Sequence, residues 1–285
     1  TLFIWAGECL PELPEVETTL QGVRPWIKSL KIQSIVVRNP NLRWPVALPD
    51  FLVGNKVLEV WRRGKYLIID VGVGSVIAHL GMSGSLRIVD PGEAARTHDH
   101  LDIEFSRGIV LRYNDPRRFG SWHYSEDDPL DHWLLRKLGL EPLSEEFCAD
   151  FLHRKSRSKT QSVKAFIMDG NVVVGVGNIY ASEALFLAGI RPTVKASRLS
   201  LASYENIVKA IKRLLTDSIR IGGTTLRDFV SPSGQPGYFQ QTLNVYGREG
   251  KPCKICSATL KKVLITQRSS VYCPKCQGDR SKRDL

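Results

Sequence analysis

The sequence predicts an α+β protein in three parts: an N-terminal helix with an antiparallel β-sandwich, a helical domain, and a small C-terminal module. Three observations predict this organisation. Apolar residues recur every three or four positions from Leu13 to Leu30, and short β-branched runs separated by turn residues follow as far as Tyr113. Helical periodicity then resumes between Asp131 and Ile221, and two Cys-x-x-Cys pairs follow it.

The first helix is predicted from the spacing of Val16, Leu20, Val23 and Ile27, with Pro14 and acidic residues at its start. Seven runs behind it are predicted strands: Lys31–Arg38, Lys56–Arg62, Tyr66–Val71, Ser75–Leu80, Leu86–Val89, Leu101–Phe105 and Ile109–Tyr113. Their turn-rich spacing favours an antiparallel sandwich or barrel against which the helix packs.

The second half is predicted to be helical, because its apolar residues follow helical rather than alternating spacing. The segments are Trp133–Leu138, Glu145–His153, Gln161–Met168, Ile179–Ala188 and Ser200–Ile221. A domain boundary is expected near Leu140–Ser144, and a Gly-, Pro- and Ser-rich loop covers Gly222–Gly237. The predicted divisions are therefore an extension at 1–10 and domains at 11–141, 142–237 and 238–285.

The charge of the chain favours a polyanionic partner. The formal net charge is +11 and the isoelectric point is near 9.5, with 42% hydrophobic and 24% charged residues. An excess of this size suits nucleic acid through counterion release, while acidic membrane surfaces and simple solubility are the alternatives. No apolar run approaches the ~20 residues that span a bilayer, so a membrane protein is not expected. The six cysteines do not form a disulfide framework, which fits a reducing cytoplasm.

Four cysteines have the spacing of a metal site. Cys253-x-x-Cys256 and Cys273-x-x-Cys276 are typical of a tetrahedral four-thiolate Zn²⁺ site on two knuckles. Paired disulfides and an iron–sulfur site are the alternatives. Because closed four-Cys sites are structural, we predict one structural zinc ion without a catalytic role.

The stretch Pro11–Thr19, Pro-Glu-Leu-Pro-Glu-Val-Glu-Thr-Thr, offers nucleophilic chemistry if Pro11 is the chain terminus. An α-amino group has a pKa near 7.7–8.0 against roughly 10.4 for Lys, so much more of it is unprotonated at neutral pH. A secondary amine can attack a sugar C1′ and become an iminium, and the adjacent Glu12 can move protons. We expect translation to start at Leu10, in place of an initiator Met, and trimming to expose Pro11. The apolar run Leu2–Ala6 is too short for a signal-peptide core.

Two stretches carry a resemblance to a known family. Pro11–Thr19 closely resembles the opening of the formamidopyrimidine-DNA glycosylases, and Asp169–Glu183 resembles their helix–two-turn–helix element. The resemblance runs from Pro11 to about Gln277. It implies an α+β fold with a catalytic sandwich, a helix–two-turn–helix domain and a four-Cys zinc finger. It also implies that the loop after Gly222 closes over a flipped base, which together with Leu13 favours the formamidopyrimidine branch.

The resemblance also implies a role for each matching residue. The expected catalytic residues are Pro11, Glu12, Lys65 and Arg268. The expected DNA contacts are Met82, His98, Arg117, Phe119, Lys159 and Asn178, of which Met82 wedges the duplex, Arg117 meets the orphaned base and Phe119 stacks. The expected lesion-site support comes from Glu15, Glu183, Thr224 and Thr225.

Read without the resemblance, the same residues allow plainer interpretations. Lys65 can be a solvated lysine at a strand edge, and Met82 can cap the hydrophobic core. The basic run 153–159 can be a solvated helix face, and Lys164 lies just beyond it. Gly175-x-Gly177 is weak alone, although glycines before a helix let its first N–H groups approach an anion, with Asn178 as cap or donor. A metal pair at His98 and His100 lacks a third ligand.

These observations together predict a bifunctional DNA glycosylase and AP lyase. It would excise 8-oxoguanine and formamidopyrimidines from duplex DNA by proline Schiff-base chemistry with β,δ-elimination, as a monomer in the bacterial cytoplasm, associated with the nucleoid. Three alternatives remain: an endonuclease-VIII-type enzyme for oxidised pyrimidines, a non-catalytic damage-binding protein if Thr1–Leu10 block Pro11, and a basic zinc-ribbon structural protein.

Overall fold

The computed structural model describes residues 11–222 and 243–278, and these form two compact units. The first contains residues 11–137 with 221–222, and the second contains 138–220 with 243–278. The fold class is confirmed, because a helix and two antiparallel sheets make up the first unit and helices with a small hairpin make up the second.

The first helix, α1 (Leu13–Ile27), begins with a proline in its first turn, where a missing N–H costs nothing. Its buried residues include the predicted apolar positions, which lie at most 6% exposed. The helix ends before the predicted Leu30 because Lys28 leaves helical geometry and Ser29 takes a φ of 69°. The buried face packs against both sheets of the sandwich.

Eight strands follow in chain order: β1 (Ile32–Val37), β2 (Glu59–Arg63), β3 (Tyr66–Asp70), β4 (Ser75–His79), β5 (Ser85–Val89), β6 (Asp99–Phe105), β7 (Ile109–Asn114) and β8 (Ser121–Ser125). One sheet has the order β1-β6-β7-β5 and the other the order β2-β3-β4-β8, with every pair antiparallel. The sandwich is therefore the correct one of the two predicted architectures.

Strand β8 was not among the predicted strands. Its sequence, Ser-Trp-His-Tyr-Ser, has no β-branched residue, but its two aromatic residues alternate with polar ones, which is a strand pattern over only five residues. It becomes a strand by pairing with β4, from Ser75 opposite Ser125 to His79 opposite Ser121. The prediction therefore missed a short strand whose aromatic alternation is visible in the sequence.

The second unit contains α2 (Ala149–Ser156), α3 (Val163–Ile167), α4 (Asn178–Leu187) and α5 (Leu201–Ile221), whose last residue belongs to the first unit. The predicted helix at Trp133–Leu138 was wrong, because that segment forms turns after a short 3-10 helix at Pro129–Asp131. The predicted helix at Glu145–His153 starts later than expected, at Ala149, after an extended Cys148.

The last described segment is the hairpin of β9 (Lys261–Ile265) and β10 (Arg268–Tyr272). Its small core joins Val245, Leu260 and Val271 to Phe186 of α4. The hairpin is therefore packed onto the helical part of its own unit. Within the ranges described, none of the helices combines the length and apolarity needed to cross a membrane.

Candidate functional site

The start of α1 presents two buried carboxylates next to Pro11. Glu12 and Glu15 are each 1% exposed. The backbone N–H of Glu12 donates to Glu15 Oε2 at 2.8 Å, which is half of a capping box that fixes the entry into the helix. Glu15 thereby fixes the backbone of Glu12, and Glu12 carries the carboxylate that directly follows Pro11 in sequence.

Lys65 lies in the two-residue turn between β2 and β3. Gly64 takes the first turn position with a φ of 58°, which is the conformation that glycine adopts most readily in such hairpins. Arg62 ties this turn to α1, because its Nε donates to Glu17 at 2.8 Å and its NH1 donates to the Gly64 carbonyl at 2.9 Å. The same helix therefore organises both Pro11 and the turn that carries Lys65.

His79, at the end of β4, lies beside the Lys65 turn and had no assigned role in the sequence analysis. Its ring lies 4.7 Å from that of Tyr66, and the N–H of Gly81 donates to its Nδ1 at 3.0 Å. Burial lowers the pKa of His79 to about 4, and the positive charges of Lys65 and Arg43 act in the same direction. The imidazole is therefore neutral at physiological pH, with its proton on Nε2.

The predicted wedge and the predicted base-contacting residues lie on two touching turns. Met82 is half-buried on the turn between β4 and β5, whereas Arg117 and Phe119 are exposed between β7 and β8. The Arg117 guanidinium lies 5.0 Å from the centre of the Phe119 ring. Gly81, next to the Met, has a φ of 69°, and a Cβ there would overlap the backbone of Phe119 and Gly120.

Gly81→Ala is expected to destabilise the protein by about 2–4 kcal/mol, because it adds left-handed strain to a steric overlap with backbone. Gly92→Ala is the matched control, since Gly92 has a φ of 85° but open space around its Cβ position. This control should lose only about 1–2 kcal/mol. Denaturant unfolding measures both, and equal losses would contradict close packing of the two turns.

His98 and His100 have different surroundings although they stand two residues apart. His98 is exposed with a φ of 73°, whereas His100 is 5% exposed and its Nε2 lies 2.8 Å from the Asp115 carbonyl. The Asp115 N–H donates to the His98 carbonyl at 3.0 Å. His98 is thus presented at the surface, and its backbone is attached to the turn that carries Arg117.

In the second unit, Asn178 is the first residue of α4, and Gly177 is the helix N-cap. The side-chain amide of Asn178 is held by other segments, because Lys164 Nζ donates to Asn178 Oδ1 at 2.7 Å and Asn178 Nδ2 donates to the Ser269 carbonyl at 3.2 Å. Lys164 is 1% exposed and also donates to Ser270 Oγ at 2.7 Å. A buried ammonium therefore links the start of α4 to the β9–β10 hairpin.

Arg268 is exposed and is the first residue of β10. The preceding turn consists of Thr266 and Gln267, with φ values of 46° and 61°, as a tight two-residue hairpin requires. Ser269, which accepts from Asn178, follows directly. Lys159 is half-buried in the segment between α2 and α3, and its N–H donates to the Ser156 carbonyl.

Glu183 is 1% exposed and binds the chain that enters the C-terminal module. Its carboxylate accepts four hydrogen bonds of 2.8–3.0 Å, from the N–H groups of Asn244, Val245 and Tyr246 and from the Asn244 side chain. This arrangement is a structural brace, and the predicted support of a lesion stays a prediction. Thr224 and Thr225 lie outside the described residues.

The four cysteines fit a zinc ion. Their Sγ atoms lie within 4.8 Å of one another, with 3.9 Å between Cys253 and Cys276 and 3.4 Å between Cys256 and Cys273. A tetrahedron with Zn–S distances of about 2.3 Å has edges of about 3.8 Å, close to these values. Backbone N–H groups point at two of the sulfurs, as in a zinc knuckle. The site is suited to one structural Zn²⁺.

Three family models cover most of the chain. The formamidopyrimidine-DNA glycosylase N-terminal domain matches residues 10–122, its H2TH domain matches 138–230, and a zinc finger found in FPG and IleRS matches 250–278. The formamidopyrimidine-DNA glycosylase of Pseudomonas syringae is 53% identical over 270 residues, which are 94% of this chain and 100% of the relative. That of Hahella chejuensis is 52% identical with the same coverage.

The chain belongs to the formamidopyrimidine-DNA glycosylase family. It is therefore a DNA repair glycosylase with a zinc finger, and the family resemblance stated from its motifs is confirmed. The MutM (FPG) protein of Thermus thermophilus aligns with a TM-score of 0.84 at 36% identity, covering 94% of this chain and 99% of that one. A Lactococcus lactis FPG mutant in complex with Fapy-dG DNA aligns at 0.86 and 34%, covering 94% and 100%.

Other residues of this site escaped the sequence analysis. Asp115 lies in the stretch Asn-Asp-Pro-Arg-Arg-Phe-Gly at 114–120, but an aspartate before a proline normally indicates only a turn. Ser83 and Tyr113, its partners, carry no signal that a single sequence reveals. Their contacts join the β4–β5 turn and strand β7 to the β7–β8 turn, and they became visible only in the fold.

Proposed function

We propose that the chain excises 8-oxoguanine and formamidopyrimidines from duplex DNA and then cleaves the abasic site by β,δ-elimination. The observation that carries this proposal is the buried Glu12 carboxylate directly after Pro11, on a helix start fixed by Glu15. Family membership supports it. Solved relatives were crystallised with Fapy-dG DNA, with abasic-site DNA and with DNA containing carbocyclic 8-oxo-G.

The chemistry begins at the Pro11 nitrogen, in protein that starts at that residue. Its lone pair attacks C1′ of the damaged nucleotide, a C–N bond forms, and the bond from C1′ to the base breaks as the base leaves with a proton. Glu12 donates a proton to the sugar ring oxygen as the ring opens, and the nitrogen becomes a charged iminium. The iminium acidifies the C2′ protons, so the 3′ phosphate and then the 5′ phosphate leave as the backbone is cleaved.

The remaining predicted site residues hold and open the duplex. Met82 fills the space of the extruded base, Arg117 hydrogen-bonds the orphaned base and Phe119 stacks beside it. Lys65 and Arg268 each contact the damaged strand. His98, Lys159 and Asn178 bind phosphates, in keeping with the net charge of +11.

Cys253, Cys256, Cys273 and Cys276 would hold a zinc ion, which would supply cross-linking of the two knuckles rather than reaction chemistry. The hairpin of this module carries Arg268, and Glu183 and Lys164 attach the module to α4 and α3. We also propose that the protein acts as a monomer in the bacterial cytoplasm, bound to the nucleoid through its DNA contacts.

A lesion comparison tests the proposed substrate. Protein verified to begin at Pro11 is incubated under single-turnover conditions with matched duplexes that carry 8-oxoguanine, a formamidopyrimidine or thymine glycol. We expect the two purine lesions to be excised at least about tenfold faster than thymine glycol, a difference of about 1.4 kcal/mol in the barrier. Faster excision of thymine glycol assigns the chain to the oxidised-pyrimidine class, and no excision of any lesion overturns the proposal.

A further inference from the structure

Asp115, which begins the turn between β7 and β8, is completely buried and contacts the segments that carry Met82, His98 and Phe119. We propose that Asp115 is a positioning residue that fixes Met82, the Arg117–Phe119 turn and His98 relative to one another. The inference rests on the proposed function, because it assigns Asp115 to the base-extrusion step. Asp115 does not itself meet DNA, since its side chain is enclosed by the protein.

The Asp115 carboxylate joins two turns: the β4–β5 turn that carries Met82, called the wedge turn, and the β7–β8 turn that carries Arg117, called the arginine turn. Ser83, next to Met82, donates its hydroxyl to Asp115 Oδ1 at 2.6 Å. The same Ser83 Oγ accepts from the Arg117 backbone N–H at 3.1 Å. One oxygen of Asp115 therefore sets the position of the serine that connects the two turns.

The second carboxylate oxygen fixes the end of the arginine turn. Asp115 Oδ2 accepts from the Gly120 N–H at 2.9 Å and from the Tyr113 hydroxyl at 2.9 Å. Gly120 directly follows Phe119, so this contact restrains the backbone that carries the stacking ring. Burial raises the pKa of Tyr113, and the negative charge of Asp115 adds to the effect, so the phenol stays a donor.

The backbone of Asp115 adds the third segment. Its N–H donates to the His98 carbonyl at 3.0 Å, and its carbonyl lies 2.8 Å from His100 Nε2. A second N–H, from Arg118, donates to the same carbonyl at 3.2 Å. His98 is thus held by the residue that also holds the wedge turn.

Close packing makes this arrangement rigid. A Cβ at Gly84 would come within 2.7 Å of the Tyr113 hydroxyl, and one at Gly120 would overlap it. A buried carboxylate is costly unless donors surround it, and here three donors do so, from the β4–β5 turn, from strand β7 and from the end of the β7–β8 turn. Removing the carboxylate leaves those donors buried without their acceptor, so the turns must shift.

Loss of the Asp115 contacts should affect the base-extrusion step and no other step. Extruding a base requires Met82, Arg117 and Phe119 to enter the duplex together, whereas a preformed abasic site has no base to extrude. Loosening the turns should therefore slow the excision of a lesion far more than it slows strand cleavage at an abasic site. Damage to the catalytic residues or to the whole fold would slow both reactions.

The test compares Asp115→Ala, Asp115→Asn and Ser83→Ala with Asp102→Asn as the matched control. Asp102 is another buried carboxylate of the sandwich, but it pairs with Arg112 and Arg38 instead of the turns. Single-turnover excision of 8-oxoguanine and cleavage of a preformed abasic duplex are measured for each, in protein that begins at Pro11. A 2-aminopurine beside the lesion reports unstacking of the duplex.

Asp115→Ala is expected to slow excision about 10- to 100-fold and to reduce the 2-aminopurine signal, with abasic cleavage within about threefold of wild type. Asp115→Asn should recover part of the rate, because one amide oxygen still accepts from Gly120 and Tyr113. Ser83→Ala should excise 8-oxoguanine about three- to tenfold more slowly than wild type. If Asp115→Ala does not fold, the Ser83→Ala result alone tests the positioning role. Combined with Met82→Ala, the Asp115→Ala loss should be less than additive.

Equal slowing of both reactions, or unchanged excision by Asp115→Ala and Ser83→Ala, would overturn the positioning role. An Asp102→Asn protein with the same selective loss would overturn it too, because any buried carboxylate would then produce the effect. Wild-type protein that fails on both substrates refutes the proposed function instead, so the two failures are distinguishable.

Discussion

Glu12→Gln protein that begins at Pro11 is expected to excise 8-oxoguanine about 10²–10⁴-fold more slowly than wild type, the range for loss of a general acid–base group. The substitution keeps the size of the side chain and the backbone hydrogen bond from Glu12 to Glu15. It removes the carboxyl group that can take up and release a proton, at a position 1% exposed to solvent. The Pro11 amine is unchanged, so the variant should still form an adduct with a preformed abasic site.

Single-turnover kinetics on an 8-oxoguanine duplex measures the effect, and Glu17→Gln is the matched control. Glu17 lies on the same helix and pairs with Arg62 at 2.8 Å, away from the first turn. The glutamine oxygen can still accept from Arg62, so the Lys65 turn keeps its tie to α1. Loss of the charge should cost at most about 1 kcal/mol of stability, as for other partly exposed ion pairs, with excision unchanged. A Glu12→Gln rate within about threefold of wild type would contradict the proton-transfer role.

Cys273→Ser protein is expected to lose its zinc ion and at least about 100-fold in DNA affinity, while the β-sandwich stays folded. The core of the C-terminal module is too small to hold the hairpin alone, and zinc contributes about 10–16 kcal/mol in comparable sites. Without the hairpin, Arg268 is not presented. Asn178 and Lys164 also lose their partners Ser269 and Ser270.

Metal analysis, limited proteolysis and fluorescence anisotropy with an abasic-analogue duplex measure these losses. Cys148→Ser is the matched control, because Cys148 lies half-buried before α2 and outside the metal cluster. It should keep both zinc and affinity. Zinc loss in Cys273→Ser with unchanged DNA binding would contradict the role of the module in presenting Arg268.

The fold was largely predictable where local patterns are strong. The spacing of Val16, Leu20 and Val23 predicted α1, and the β-branched runs predicted seven of the eight sandwich strands. Prediction failed at Ser121–Ser125, which depends on pairing with β4, and at Trp133–Leu138, where an apolar pattern forms turns. Long-range pairing decides the backbone conformation of the first segment, whereas in the second the N–H groups of Leu135 and Arg136 both donate to the nearby His132 carbonyl.

The zinc ligands were predictable from spacing alone, because two Cys-x-x-Cys pairs have few other uses. The hydrogen bonds that link the separate segments of the site could not be predicted from the sequence. Lys164 reaches Ser270 across 106 positions, Glu183 reaches Val245 across 62, and Ser83 reaches Asp115 across 32. Such pairs leave no periodic signal, so only the folded chain shows that Lys164 links Asn178 to the hairpin that carries Arg268.

The central claim is that the nitrogen of Pro11 forms the covalent intermediate. The direct measurement uses protein verified to begin at Pro11, reduced with borohydride in the presence of an abasic duplex, then digested and mapped by mass spectrometry. The account predicts one reduced sugar adduct on the peptide that begins at Pro11, attached to its α-nitrogen. An adduct on Lys65, or no adduct with active protein, would contradict it.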